Sequence, residues 1–133
     1  MSKWKYVDPS DLDLQGLFDA SVNHVLEQGI PSIDTVKRTC LYRHPEGLQC
    51  AASIFISDEE YKTTMEHCPF TLHMVNCELQ DSEIKLIRLL QRAHDDAATD
   101  AIFDMINSDF LTNYKKYVVG VAKKFHLEYS HLF

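Results

Sequence analysis

Apolar residues recur at helical spacing in three long parts of the chain, and this pattern predicts three amphipathic helices. The first helix is predicted over 11–28, because Ser10 is a suitable N-cap and Gly29 a suitable left-handed stop. The second is predicted over about 83–98, and the third from 108 or 109 to 125. The inward faces of these helices are expected to form most of the core.

Two shorter helices are predicted from local start signals. Residues 57–60 read Ser-Asp-Glu-Glu, a capping box in which Ser57 is the N-cap and Glu60 reaches back to it. We therefore expect a helix over 58–66. Thr99 is expected to cap another short helix before the last long one.

The segment 39–52 predicts a β-hairpin. Pro45 has the φ angle that a type I turn requires, and Gly47 follows where a left-handed residue is needed. In such a hairpin Cys50 lies opposite Tyr42, and one face carries two thiols and a phenol. The side chains on that face are Cys40, Tyr42 and Cys50. The predicted fold is α+β and predominantly helical, with five to six helices and one small hairpin at about 39–52.

Length and composition are those of an ordinary folded domain. The 133 residues are 45% hydrophobic and 25% charged, which predicts a single domain over 1–133 with an N-terminal lead at 1–9. The apolar tail at 127–133 is expected to dock onto the domain, although a dimer through this tail stays open. The chain has no apolar run of membrane-spanning length and no secretory signal, so we expect a cytoplasmic protein with no membrane partner and with reduced cysteines.

The net charge of −7 argues against nucleic acid as a direct partner, since phosphate binding needs clustered Lys and Arg. Most acidic residues are expected at helix N-termini and on solvated faces. The alternative is an acidic surface that meets a basic site on a nucleic-acid-handling enzyme, as an inhibitor that mimics nucleic acid does. The candidate partner-binding residues are Asp58, Glu59, Glu60, Asp96, Asp100 and Asp104.

Four potential metal ligands fall within eleven residues, at 67–77. Two of them are one helical turn apart, which is compatible with zinc, but the usual pair of cysteines separated by two to four residues is missing. We therefore interpret the two cysteines as small buried hydrophobes and expect no metal and no other cofactor. The weak metal candidates are His67, Cys68, His73 and Cys77.

A cysteine and a histidine are the candidates for catalysis. Cys50 as a thiolate nucleophile with His94 as its base would form a thiol enzyme. Asp95 is expected to point about 100° away around the helix, so that it does not orient His94. Gln91 and His94 lie on the inward stripe of the second long helix and are expected to fasten it to the hairpin. Because Cys50 precedes a long apolar run, packing in the core is the favoured interpretation.

One pattern in the chain resembles known proteins. It reads C-L-Y-R-x-P-E-G-L-x-C-A, then I-S-D-E-E-Y and, further on, L-x-R-L-L-Q-R-A-H-D. This pattern resembles small proteins that recur in bacteriophage and prophage genomes, and the resemblance covers residue 21 to about 97. Ser53 stands where a glycine is common and Ser57 where a proline is common. The resemblance implies a phage-related cytoplasmic protein and implies no mechanism. Its motif residues are Cys40, Tyr42, Arg43, Pro45, Gly47, Cys50, Gln91, His94 and Asp95.

Three classes of function follow, in order of preference. The first is non-catalytic binding of a host or phage protein, such as inhibition of a host defence or nucleic-acid-processing factor. The second is a small thiol-dependent enzyme or a small-molecule binder that uses Cys50 and His94. The third is a structural module stabilised by zinc at 67–77.

Overall fold

The computed structural model describes residues 3–103 and 109–133 and consists mainly of helices. The long helices are α1 (Leu14–Gln28), α2 (Asp81–Phe103) and α3 (Phe110–Phe125). Two short antiparallel strands, β1 (Ile33–Asp34) and β2 (Thr39–Cys40), pair with Ile33 opposite Cys40. The fold is predominantly helical with a small hairpin, as predicted, but the described residues form three α-helices where five to six were predicted. The remaining helical segments are short 3-10 turns at Pro9–Asp11, Ser53–Phe55, Thr63–Met65, Leu72–Met74 and Ser130–Leu132.

The ends of α1 show how local hydrogen bonds set helix boundaries. Gly29 ends the helix in the left-handed conformation, with φ of 77°, as predicted. The start lies at residue 14, because the Asp13 side chain accepts the Gly16 N–H at 2.8 Å and is the N-cap. Ser10, the predicted cap, instead donates its backbone N–H to Asp8 in a preceding 3-10 turn.

The helix predicted over 58–66 does not form. The capping box itself is present: the Glu60 carboxylate accepts the Ser57 backbone N–H at 2.9 Å, and Ser57 Oγ accepts the Glu60 N–H at 3.3 Å. Lys62 then adopts an extended conformation, with φ of −136° and ψ of 144°. A capping box stabilises a single turn. Because this segment has no apolar face to bury, the turn does not propagate into a helix.

Helix α2 is longer than predicted. No glycine or proline interrupts the range 81–103, so the helix continues through Thr99, which was predicted to cap a separate helix. Helix α2 packs against both α3 and α1 and is the central element of the core.

The predicted hairpin forms in part and in a different place. Gly47 closes the turn with φ of 93° and a backbone hydrogen bond to residue 44, as its sequence position predicted. Beyond that turn the two arms share a single bridge, between Arg43 and Gln49, and β2 pairs with β1. The ladder therefore lies within 33–40 and not over 39–52. The Glu66 carboxylate accepts hydrogen bonds from the backbone N–H groups of residues 42 and 43. These two residues therefore do not extend the β1–β2 ladder.

The segment 51–56 is wholly buried and connects several elements. Ser21 on α1 donates its hydroxyl to the Ala51 carbonyl at 2.8 Å, and the Val7 N–H donates to the Ile54 carbonyl at 2.8 Å. Each large apolar side chain buried here contributes about 1.5–3 kcal/mol relative to exposure. The small side chains in the first half of this segment allow α1 to approach the backbone closely.

A buried polar hub lies beside α1. The Gln49 backbone carbonyl accepts the His24 Nε2–H at 3.1 Å and a Gln28 amide N–H at 3.0 Å. The Gln49 side chain accepts the Lys5 N–H at 2.8 Å and donates to the Lys5 carbonyl at 3.1 Å. Burial is the main cause that lowers the pKa of His24, so this imidazole is held neutral inside the fold.

The C-terminal tail packs on α1. Gln15 exchanges two hydrogen bonds of 2.9 Å with the backbone of Glu128, and His131 contacts Asp19 at 3.0 Å. Phe133 remains half exposed. None of the helices in the described ranges is both long and apolar enough to cross a membrane.

Candidate functional site

A cleft of about 600 Å³ opens between the 39–42 segment, the 67–69 loop and helix α2. The most buried side chains that line it are Tyr42, Cys50 and Gln91, which we call the floor. Its exposed lining residues on α2 include Arg88 and Arg92, which we call the mouth. A volume of this size is typical of a site for a small organic ligand.

Hydrogen bonds within the protein occupy the polar groups of the floor. Tyr42 donates its hydroxyl to the Cys68 carbonyl at 2.6 Å. The Gln91 amide oxygen accepts the Phe70 N–H at 2.9 Å, and its amide nitrogen donates to the same Cys68 carbonyl at 3.4 Å. Gln91 therefore fastens α2 to the 68–70 loop, and neither polar group of the floor lacks a partner.

Glu66 fixes the backbone of residues 42 and 43 beside the cleft, which we call the wall. Glu66 was not among the predicted residues. Its carboxylate accepts the Tyr42 N–H at 2.7 Å, the Arg43 N–H at 3.2 Å and the Tyr61 hydroxyl at 2.6 Å. The Arg43 guanidinium stacks 4.4 Å from the centre of the Tyr61 ring and pairs with Asp58 at 3.0 Å. Arg43 is thus part of the scaffold beside the cleft.

Cys50 has its thiol at the floor, only 2% of the residue being exposed. Burial is the main cause that raises the pKa of Cys50, and the nearby Asp95 carboxylate raises it further. Hydrogen bonds from the backbone N–H groups of Ala52 and Ser53 favour the thiolate, but burial and the Asp95 carboxylate outweigh them. Cys50 is therefore a protonated, weakly nucleophilic thiol.

His94 is fully buried and does not line the cleft. Its Nε2 accepts the Ser32 backbone N–H at 3.1 Å, and its Nδ1 lies 2.9 Å from the Asp95 carboxylate. Because Nε2 is an acceptor, the neutral ring carries its proton on Nδ1 and donates it to Asp95. His94 then has no nitrogen free to take a proton from the Cys50 thiol, so the pair lacks the arrangement of a nucleophile and its base.

The prediction that Asp95 does not orient His94 is wrong. Neighbouring side chains leave a helix about 100° apart, but a carboxylate can fold back to the ring next to it. The distance of 2.9 Å between Asp95 Oδ1 and His94 Nδ1 shows this arrangement.

Cys40, His94 and Asp95 bring their ligand atoms within 4.8 Å of one another, a set that could be read as a metal site. The hydrogen bonds oppose that reading. A metal on His94 Nδ1 would leave the proton on Nε2, where it would face the Ser32 N–H, and a ligating histidine needs an acceptor there. Burial and the Asp95 carboxylate also raise the pKa of Cys40, which keeps this thiol protonated.

The four weak zinc candidates are spread along an irregular loop. Within the described part of the chain the only group of three close ligand atoms is that of residues 40, 94 and 95, so the candidates do not assemble. The cysteine at 68 is exposed and that at 77 half buried, which corrects the expectation that both are buried hydrophobes. The candidates are His67, Cys68, His73 and Cys77.

The predicted acidic residues occupy two separate settings, and several have partners within the fold. Asp58 pairs with Arg43, and Glu60 accepts backbone N–H groups of residues 57 and 76. On α2, Asp96 lies 3.5 Å from Arg92, and Asp100 accepts the hydroxyl of Tyr117. Asp104 lies outside the described residues. Glu59 is exposed.

An acidic patch forms around Tyr6, which is 46% exposed. We define this patch as Tyr6, Asp8, Glu59 and Glu60. Partial burial is the largest cause that raises the pKa of Tyr6, and the carboxylates of Asp8, Glu60 and Glu59 raise it further. These carboxylates come from segments about fifty residues apart, so neither Tyr6 nor Asp8 was predicted to join the patch. The sequence of the N-terminal lead carries no pattern that would have identified them.

No protein-family model, curated protein or solved structure matches the chain.

Proposed function

We propose that the protein acts by non-catalytic protein binding, with the acidic patch as its contact surface. The observation that supports this proposal is that Tyr6 is 46% exposed and that the carboxylates of Asp8, Glu59 and Glu60 are near enough to raise its pKa. Tyrosine is enriched in the energetically dominant parts of protein interfaces, because its ring supplies apolar area and its hydroxyl a hydrogen bond. The nearby carboxylates add charge complementarity to a basic partner.

The state of the thiols favours binding over catalysis. Cys50 is held protonated, and His94 has both ring nitrogens engaged. Binding needs neither an activated nucleophile nor a general base.

The proposed partner is a basic surface on a host defence or nucleic-acid-processing protein. Such surfaces are positive because they bind phosphate, and carboxylates can occupy the same positions. The net charge of −7 speeds association with such a partner. The resemblance of the 21–97 region to phage and prophage proteins supports a host protein as the partner.

The experiment compares proteins recovered from a bacterial lysate by the natural chain and by variants of the patch. Tyr6→Ala removes the aromatic contact, and Glu59→Gln removes one exposed carboxylate. Glu46→Gln is the matched control, since it makes the same change of charge at another exposed position.

The proposal expects a protein that the natural chain and the control both recover and that Tyr6→Ala loses. Its recovery should fall as salt is raised, because exposed charges are screened. Recovery of the same proteins by all four chains, or of none by any of them, would contradict the proposal.

A further inference from the structure

The cleft offers hydrogen bonds at its mouth. Arg88 has no ion pair among the described residues. Arg92 contacts Asp96 at 3.5 Å, but both side chains are well exposed, at 77% and 50%, so the pair is weak. The two guanidinium groups therefore retain most of their capacity to bind an anion.

Their spacing suits one shared anionic group. Arg88 and Arg92 are four residues apart on α2, so they lie one above the other on the same face of the helix. Guanidinium groups bind carboxylate, phosphate and sulfonate oxygens through paired N–H donors. Two such groups on one helix face form a clamp at the edge of the cleft.

The other charged lining residues leave this clamp intact. Asp95 accepts the His94 Nδ1–H and lies beside the Cys40 thiol, so its carboxylate is turned to its own neighbours. Asp96 is the only acid among the lining residues that contacts a mouth arginine. Removal of that carboxylate should therefore strengthen the clamp.

The floor has the opposite chemistry. The Tyr42 hydroxyl and the Gln91 amide already have partners in the protein, and the Cys50 thiol is buried. A ligand that reaches the floor meets an aromatic ring and sulfur, because the Tyr42 hydroxyl and the Gln91 amide already bond within the protein. Thr39 Oγ1, which also lines the cleft, is buried without a hydrogen-bond partner among the described residues and can take one polar atom of the ligand. The rest of the inserted part is therefore apolar, since a buried polar atom without a partner is unfavourable.

We propose that this cleft binds a small amphiphilic organic anion. The apolar body lies over Tyr42 and Cys50, and the carboxylate, phosphate or sulfonate group binds Arg88 and Arg92. This site is independent of the acidic patch. A cleft of about 600 Å³ accommodates a ligand of two or three rings or an equivalent chain.

The test uses two fluorescent probes with the same aromatic body. One is 1-anilinonaphthalene-8-sulfonate, which carries the anionic group, and the other is N-phenyl-1-naphthylamine, which lacks it. Titration of the full chain should show saturable binding at a single site, with the sulfonate bound more tightly. Near-UV circular dichroism of each variant checks that its packing is unchanged.

Three variants separate the roles of the residues. The double variant Arg88→Gln and Arg92→Gln should weaken sulfonate binding by about tenfold or more, because charge-assisted hydrogen bonds are lost, and should leave the neutral probe unchanged. Asp96→Asn should strengthen sulfonate binding. Leu89→Trp places a larger side chain in the lining and should weaken both probes. The control is Lys123→Gln, which removes a charge from the exposed surface of α3.

Several results would overturn this proposal. They are an absence of saturable sulfonate binding, equal affinity for both probes, and no loss of sulfonate binding in the arginine double variant. Unchanged binding of both probes by Leu89→Trp would place their site elsewhere and would overturn it as well.

Discussion

Substitution of Glu66 should destabilise the protein more than its half-buried position suggests. The carboxylate accepts two backbone N–H groups, of Tyr42 and Arg43, and the Tyr61 hydroxyl. In Glu66→Ala all three donors lose their acceptor. An unsatisfied buried donor costs about 1–3 kcal/mol, and water can reach part of this site, so we expect a loss of about 3 kcal/mol. For a chain of 133 residues this corresponds to a decrease in Tm of about 10 °C.

Urea denaturation followed by far-UV circular dichroism measures this loss directly. Glu66→Gln should lose less, about 1 kcal/mol, because its amide oxygen can still accept the Tyr42 N–H while the Tyr61 hydroxyl turns to accept from the amide. Glu59→Ala is the matched control: an exposed glutamate without such contacts should change stability by less than about 0.5 kcal/mol. If Glu66→Ala is as stable as Glu59→Ala, the carboxylate does not hold the wall of the cleft and the reasoning is wrong.

Three further predictions concern stability and thiol reactivity. Burial lowers the folded-state pKa of His24, so the unfolded chain binds a proton at this residue more tightly than the folded chain does. The contribution of His24 to stability should be fully present above about pH 6.5 and should fall as the pH decreases toward the folded-state pKa. When unfolding is measured across that pH range, His24→Gln should show a shallower decrease in stability. Gly120 lies inside α3, is exposed, and has nothing within 4 Å of an added Cβ, so Gly120→Ala should stabilise the protein by about 0.5–1 kcal/mol in urea denaturation; a destabilised variant would contradict this. Ellman's reagent should modify the exposed Cys68 first, Cys40 more slowly, and Cys50 only upon unfolding, and rapid modification of Cys50 in the folded chain would refute its burial as a protonated thiol.

Local signals in the sequence predicted the features that depend on short-range hydrogen bonds. The left-handed end of α1 at Gly29 and the turn at Gly47 each require only a residue that adopts positive φ. The periodic apolar stripes predicted the three long helices, because burial of one face stabilises a helix wherever the partner surface lies. The capping box at Ser57 also formed its hydrogen bonds, although no helix followed.

The errors arose where a distant residue decided the local conformation. Residues 39–52 read as a self-contained hairpin, but Glu66 takes two of its backbone donors, and β2 pairs with β1. The inward positions of Gln91 and His94 indicated that both need partners. Their actual partners, the Phe70 N–H and the Ser32 N–H, lie more than twenty residues away in the chain.

The sequence by itself determined where helices are stable and which side chains face inward, because both depend on the spacing of neighbours along the chain. Only the tertiary structure decided that α2 and the 67–69 loop enclose a cleft, and that the carboxylates of residues 8, 59 and 60 come near enough to Tyr6 to raise its pKa. The physical reason is that packing brings these segments together, and the free energy of packing depends on all contacting surfaces at once. No short stretch of the chain contains that information.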